Sequence, residues 1–168
     1  TDNPDGQADL EARGQEVCGV CHKNEYENYD DYYHGAAYRR GATDAPSCWT
    51  CHGYHDILPI SDRRSPVSEG QLLATCGQCH SSNFAKAELA KGDDMIKQVD
   101  RVMAEGIRIV AALYKDGILP KPKNYAYEFP DLLTFHDAPT VVEQKLFVMF
   151  LKHRMRAFQG TFHANPDY

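Results

Sequence analysis

Three pentapeptides use every cysteine in the chain: Cys18-Gly-Val-Cys21-His22, Cys48-Trp-Thr-Cys51-His52 and Cys76-Gly-Gln-Cys79-His80. Cys-x-x-Cys-His is the attachment signature of c-type haem. Its two thiols are spaced to form thioethers with the porphyrin vinyl groups, and the adjacent histidine then falls under the iron as proximal ligand. The alternatives are weaker. A zinc site also uses Cys-x-x-Cys knuckles, but it needs four ligands and no histidine fixed behind each knuckle. A redox-active dithiol belongs in a βαβ context that is missing here. Structural disulfides would leave three identically placed histidines without explanation. The sequence therefore predicts three covalently attached haem c groups on Cys18, Cys21, Cys48, Cys51, Cys76 and Cys79, with His22, His52 and His80 as proximal ligands.

Five histidines remain for the opposite faces of three irons: His34, His55, His136, His153 and His163. The count matters because a six-coordinate haem transfers electrons, whereas an open iron binds and transforms a substrate. His34 precedes Gly35-Ala36-Ala37, small residues that let a helix approach a porphyrin closely. His55 lies too near His52 to reach the far face of the same haem, so it should serve a neighbour. His34 and His55 are the foremost distal ligands. His136, His153 and His163 compete for the remaining position, although a histidine on an apolar stripe, such as His153, is more often an ordinary core residue. Asp137 or backbone carbonyls could hold the second ring nitrogen of such a ligand. Met95, Met103, Met149 and Met155 read as helix packing.

The elements that must position these groups follow from periodicity. The stretch to about Asn83 is dense in motifs, each expected at the end of a short helix. Ser68-Glu69-Gly70-Gln71 reads as a capping box ahead of the third motif. Residues 57–66, with Pro59 and Pro66, read as an extended loop. Beyond Gly92, the apolar positions Ile96, Val99, Met103, Ile107, Val110 and Leu113 recur every three or four residues, which predicts a long helix over about 93–116 stopped by Gly117. A proline-punctuated connection follows. Thr140-Val141-Val142-Glu143 is a second capping box, opening a helix over about 140–159 that ends at Gly160. No strand is evident. The expected fold is mainly α, a haem-packed arrangement with two long C-terminal helices and little or no β-sheet. It divides into a trihaem-binding region, 1–92, and a helical region, 93–168, in one compact unit.

The 168 residues carry a net charge of −6, unevenly placed: residues 1–60 hold −7 and the remainder +1. An acidic first third excludes nucleic acid as the natural partner and could steer a basic redox protein, although a solvated acidic surface is the commoner explanation. No run of 18 apolar residues is present, so no membrane span is expected. Thr1-Asp2-Asn3-Pro4-Asp5 has the look of a processed start, and haem attachment of this kind implies export to the periplasm, the cell surface or the medium.

The stretch from His34-Gly35 through Cys48, Cys51-His52-Gly53-Tyr54-His55 and on to Thr75-Cys76-Gly77-Gln78-Cys79-His80 resembles multihaem cytochromes c. That resemblance implies distal roles for His55, on the first haem, and His34, on the third. Ala104-Glu105-Gly106-Ile107-Arg108-Ile109-Val110 and the run from His153 to Tyr168 are similar to the helical end of hydroxylamine oxidoreductase-like multihaem enzymes. Those enzymes are longer, with eight haems and one open catalytic haem cross-linked to tyrosine, whereas this chain has three motifs. Two functions follow as expectations. The first is electron transfer between redox partner proteins by closely spaced bis-histidine haems, as a monomer, a closed homo-oligomer, or a filament in which a histidine reaches a haem of the adjoining subunit. The alternative is a subunit or shortened relative of an enzyme acting on small nitrogen compounds at an open haem, with His136 or His163 moving a proton. A third possibility is a module that docks onto a larger oxidoreductase through its helices.

Overall fold

The computed structural model describes residues 16–53, 56–121, 125–127, 129–132 and 138–165. They are mainly helical, and none of them forms a strand. Residues 16–21 are helical. There follow α1 (Lys23–Asp31), α2 (Tyr33–Arg39), α3 (Cys48–His52), α4 (Leu72–Cys76), α5 (Ser82–Lys115), α6 (Val141–Val148), a π-helical turn (Met149–Arg154) and α7 (Met155–Phe162). The chain divides into two compact units: Thr1–Gly92 with Gln159–Tyr168, and Asp93–Phe158.

The first unit has little apolar core. Among its described residues the buried apolar side chains are Tyr29 and Ala85, while Asn28, Ser47, Ser65, Ser68 and Asn165 are buried and polar. Helices α1 and α2 meet at a sharp corner. A Cβ on Gly35 would lie 2.0 Å from the Tyr29 carbonyl oxygen, so glycine is required there by the close passage of backbone.

The extended loop expected over 57–66 gives way to turns from Pro59 onward. The chain descends in successive tight turns, with the amides of Asp62, Ser65, Ser68 and Gln71 each donating to the carbonyl three residues back. Three-residue turns satisfy the backbone of a segment whose prolines and serines disfavour a longer helix. The capping box expected at Ser68 is replaced by this staircase: Gln71 occupies the cap position and makes no side-chain cap. A capping box appears instead at the second motif, where Thr50 Oγ1 accepts from the Ser47 amide at 3.0 Å.

Helix α5 begins 11 residues earlier than expected and runs for 34 residues, about 50 Å at 1.5 Å per residue. Ser81 Oγ caps its start by accepting from the Phe84 amide at 3.3 Å. Gly92 suggested a boundary because glycine weakens helices by about 1 kcal/mol. Here it is a packing position: a Cβ at Gly92 would stand 2.6 Å from Thr161 Cγ2 on α7. At the other end Gly117 terminates the helix as expected, with φ of 71° and the Ile118 and Leu119 amides turning back to the Leu113 carbonyl.

In the second unit α5 packs against the last helix through Met103, Val110, Leu119 and Leu146. The Thr140–Glu143 capping box forms. Glu143 is buried, and its carboxylate accepts from the Thr140 amide at 3.1 Å, the Thr140 hydroxyl at 2.6 Å and the Tyr114 hydroxyl. Burial and the adjacent carboxylate push the Tyr114 hydroxyl well above its usual pKa, so it stays a donor. Arg154 Nε donates to Asp100 Oδ1 at 2.7 Å, tying the π turn to α5. The last helix does not stop at Gly160. That residue is buried inside α7, and the helix ends where Ala164 takes a positive φ of 55° and the Asn165 amide returns to the Gly160 carbonyl.

Candidate functional site

Each motif is a single helical turn. The amide of His22 donates to the Cys18 carbonyl at 2.8 Å and that of His80 to the Cys76 carbonyl at 3.0 Å, while Cys48–His52 is α3 itself. In a helix, positions i, i+3 and i+4 share one face. The backbone thus aims both thiols and the histidine of each motif in one direction. Gly53, with φ of 86°, ends α3 directly behind His52 and lets the chain turn away.

The motifs lie close together, and in sequence order. The Cys18 and Cys48 side chains are hydrogen-bonded, while Cys51 interacts electrostatically with Cys76 and Cys79. The second motif therefore sits between the first and the third. None of the six cysteines forms a disulfide. Burial, reinforced by neighbouring Cys18, pushes Cys48 up to about 11. Burial likewise raises Cys51 and Cys76. Among the described residues no three His, Cys, Asp or Glu side chains converge as a metal cluster.

The distal histidines fall into place unevenly. His34, on α2, lies beside His80 with ring centres 6.0 Å apart and planes tilted by 35°, and the Phe84 ring lies 4.8 Å from that of His80. Burial, then the proximity of His80, lowers the His34 pKa. His52 is lowered by burial first and then by His163 and His22, which both lie within electrostatic reach of it. The Nδ1 atom of His163 is 2.9 Å from the Gln159 carbonyl oxygen. In the tautomer that donates this bond, Nε2 carries the free lone pair, as a metal-binding imidazole requires. Gln159 is itself held, its side-chain amide donating to Glu25 at 2.7 Å, and Asn165 Nδ2 donates to the Asn28 carbonyl at 2.9 Å. His153 is exposed on the π turn of the second unit. His55 and His136 lie outside the described residues.

The residues present fit haem on three counts. Metal–imidazole bonds of about 2.0–2.1 Å on both sides of an ion set the nitrogens about 4 Å apart and the ring centres about 6 Å apart, the separation found between His34 and His80. Asn28 is 1% exposed, yet its side-chain nitrogen and oxygen have no partner among the described residues, and the same holds for Ser68 Oγ. Buried polar atoms of this kind mark a missing polar group such as a carboxylate or water. Among its described residues, finally, the first unit buries no apolar side chain other than Tyr29 and Ala85. Asn28, Ser68 and the Gln159–Glu25 pair were invisible to sequence reasoning, because no periodicity or motif marks a lone polar residue for burial.

Residues 61–125 match a family model described as seven times multi-haem cytochrome CxxCH. The chain is similar to multihaem c-type cytochromes. The matched stretch includes the third motif, and it implies covalently bound haem c and electron transfer. It carries that multihaem reading and not the narrower likeness to hydroxylamine oxidoreductase-like proteins. No solved structure matches the chain. Among the described residues no helix is long and apolar enough to cross a membrane.

Proposed function

We propose that the protein is an exported trihaem electron-transfer cytochrome in which each iron lies between two histidines of the same chain. His80 pairs with His34 on the third haem, His52 with His163 on the second, and His22 with His55 on the first. The closeness of His34 and His80 carries this reading. The neighbouring of His163 and His52 supports the second pair, and the sequence resemblance alone supports His55. Haem c, when bound, supplies a one-electron carrier at each iron. The chain's own residues do the rest. The motif cysteines fix each group covalently, Gln159 and Glu25 orient His163, and the acidic surface of residues 1–60 draws a positively charged partner.

The order of the motifs gives the chain a direction. The second is flanked by the other two, while Cys21, His22, Cys79 and His80 are exposed. Electrons thus enter and leave at the first and third sites, with the second as relay. A filament sharing a ligand between subunits is not needed to fill the irons, because His34, His55 and His163 suffice. The same count leaves no iron open for an enzyme of small nitrogen compounds.

Electron paramagnetic resonance of the oxidised protein, with carbon monoxide added to the reduced form, tests the assignment. Low-spin signals alone and no carbon monoxide binding are expected. His34→Ala and His163→Ala should each convert one haem to a carbon monoxide-binding form, and His153→Ala should convert none. A high-spin haem in the unaltered protein, or conversion by His153→Ala, overturns it.

A further inference from the structure

The second unit presents an apolar track that its own two helices leave uncovered. Met95, Val102 and Ile109 on α5 are 45%, 62% and 52% exposed and recur at intervals of seven, the spacing of a helix–helix seam. Beside them runs an open groove of about 340 Å³ whose far wall is Met149 and His153 of the last helix. Scattered exposed apolar residues need no explanation, but a heptad stripe that shares Met95 and Val102 with an open groove does.

Charge points to the occupant. Residues 93–158 carry +1 and the rest of the chain −7, so two copies repel least through this unit and a basic partner would go elsewhere. Along one flank of the stripe the signs alternate as Asp94, Arg101, Glu105 and Arg108. Asp94 and Arg108 lie nearly equidistant from Val102 in opposite directions. In an antiparallel pair of α5 helices crossing at Val102, Asp94 of each copy therefore meets Arg108 of the other, and the arrangement is self-complementary, as a two-fold interface requires. Their present links, Asp94 with Lys97 and Arg108 with Glu105, are exposed pairs within one helix and are easily exchanged.

We infer that the track seats a second copy of this chain, α5 against α5 about a two-fold axis at Val102, to form a four-helix arrangement from two helical pairs. A seven-residue repeat on a 3.6-residue helix gives the crossing a left-handed supercoil. The dimer brings together two electron-transfer chains without contributing ligands to either. It stands independently of the histidine assignments above.

Sedimentation velocity of the haem-loaded protein over a hundredfold concentration range tests this, with the haem absorption spectrum as control for folding. The unaltered protein should sediment as a dimer dissociating on dilution. Val102→Glu should be monomeric with an unchanged spectrum. Asp94→Arg and Arg108→Asp alone should each weaken association at least tenfold, and the two together should restore it. A monomer at every concentration, a dimer indifferent to Val102→Glu, or a double variant no better than the singles overturns the inference.

Discussion

His34 and His80 come from opposite sides of the second motif, yet their imidazoles lie with ring centres 6.0 Å apart. The ring of His80 also lies 4.8 Å from that of Phe84, centre to centre. The spacing of His34 and His80 suits two ligands with a metal between them, the arrangement proposed above for the third haem.

Replacing one partner should therefore act on one haem. In His34→Met the third iron keeps six ligands with a softer one, and its reduction potential should rise while the other two stay within the spread of the unaltered protein. A spectroelectrochemical titration resolves the three. A uniform shift would place His34 elsewhere.

Asn28 offers a test with opposite signs. If its buried amide has gained a partner in the haem-loaded protein, Asn28→Leu should cost about 1–3 kcal/mol by leaving that partner unsatisfied. If the amide is orphaned there too, the apolar replacement is neutral or stabilising. Urea unfolding of the two haem-loaded proteins decides.

The packing at Gly92 predicts that Gly92→Val loses stability, by about 1–3 kcal/mol from overpacking, because the new side chain meets Thr161. As Thr161 lies two residues before His163, the variant should also perturb the second haem, visible as a changed low-spin resonance. A silent spectrum would separate α7 from that site.

Tyr114→Phe removes one of the donors to the buried carboxylate of Glu143. A loss of about 1–3 kcal/mol is expected, read as a lower melting temperature with the haem spectrum intact. An unchanged melting temperature would mean that Glu143 is solvated.

These contrasts also show where the sequence is readable. The Thr140–Glu143 box and the Gly117 stop rest on local chemistry, and both appear as expected. Gly92 and Gly160 misled, because a glycine's role depends on what approaches it in space: Thr161 in the first case, burial within α7 in the second. The cysteine motifs are legible because attachment needs a fixed local spacing. The distal side is not, because His163, the ligand proposed for the second haem, lies 111 residues beyond His52 and is held by its contact with Gln159, itself bonded to Glu25. The π turn at Met149–Arg154 left no mark in the apolar periodicity either.

The intact mass of the native, unreduced polypeptide tests the foundation most directly. The mass should exceed that of the 168 residues by three haem groups, and a variant with Cys48 and Cys51 both changed to alanine should carry two. A native mass equal to the bare polypeptide, or to any number of haems other than three, contradicts the account.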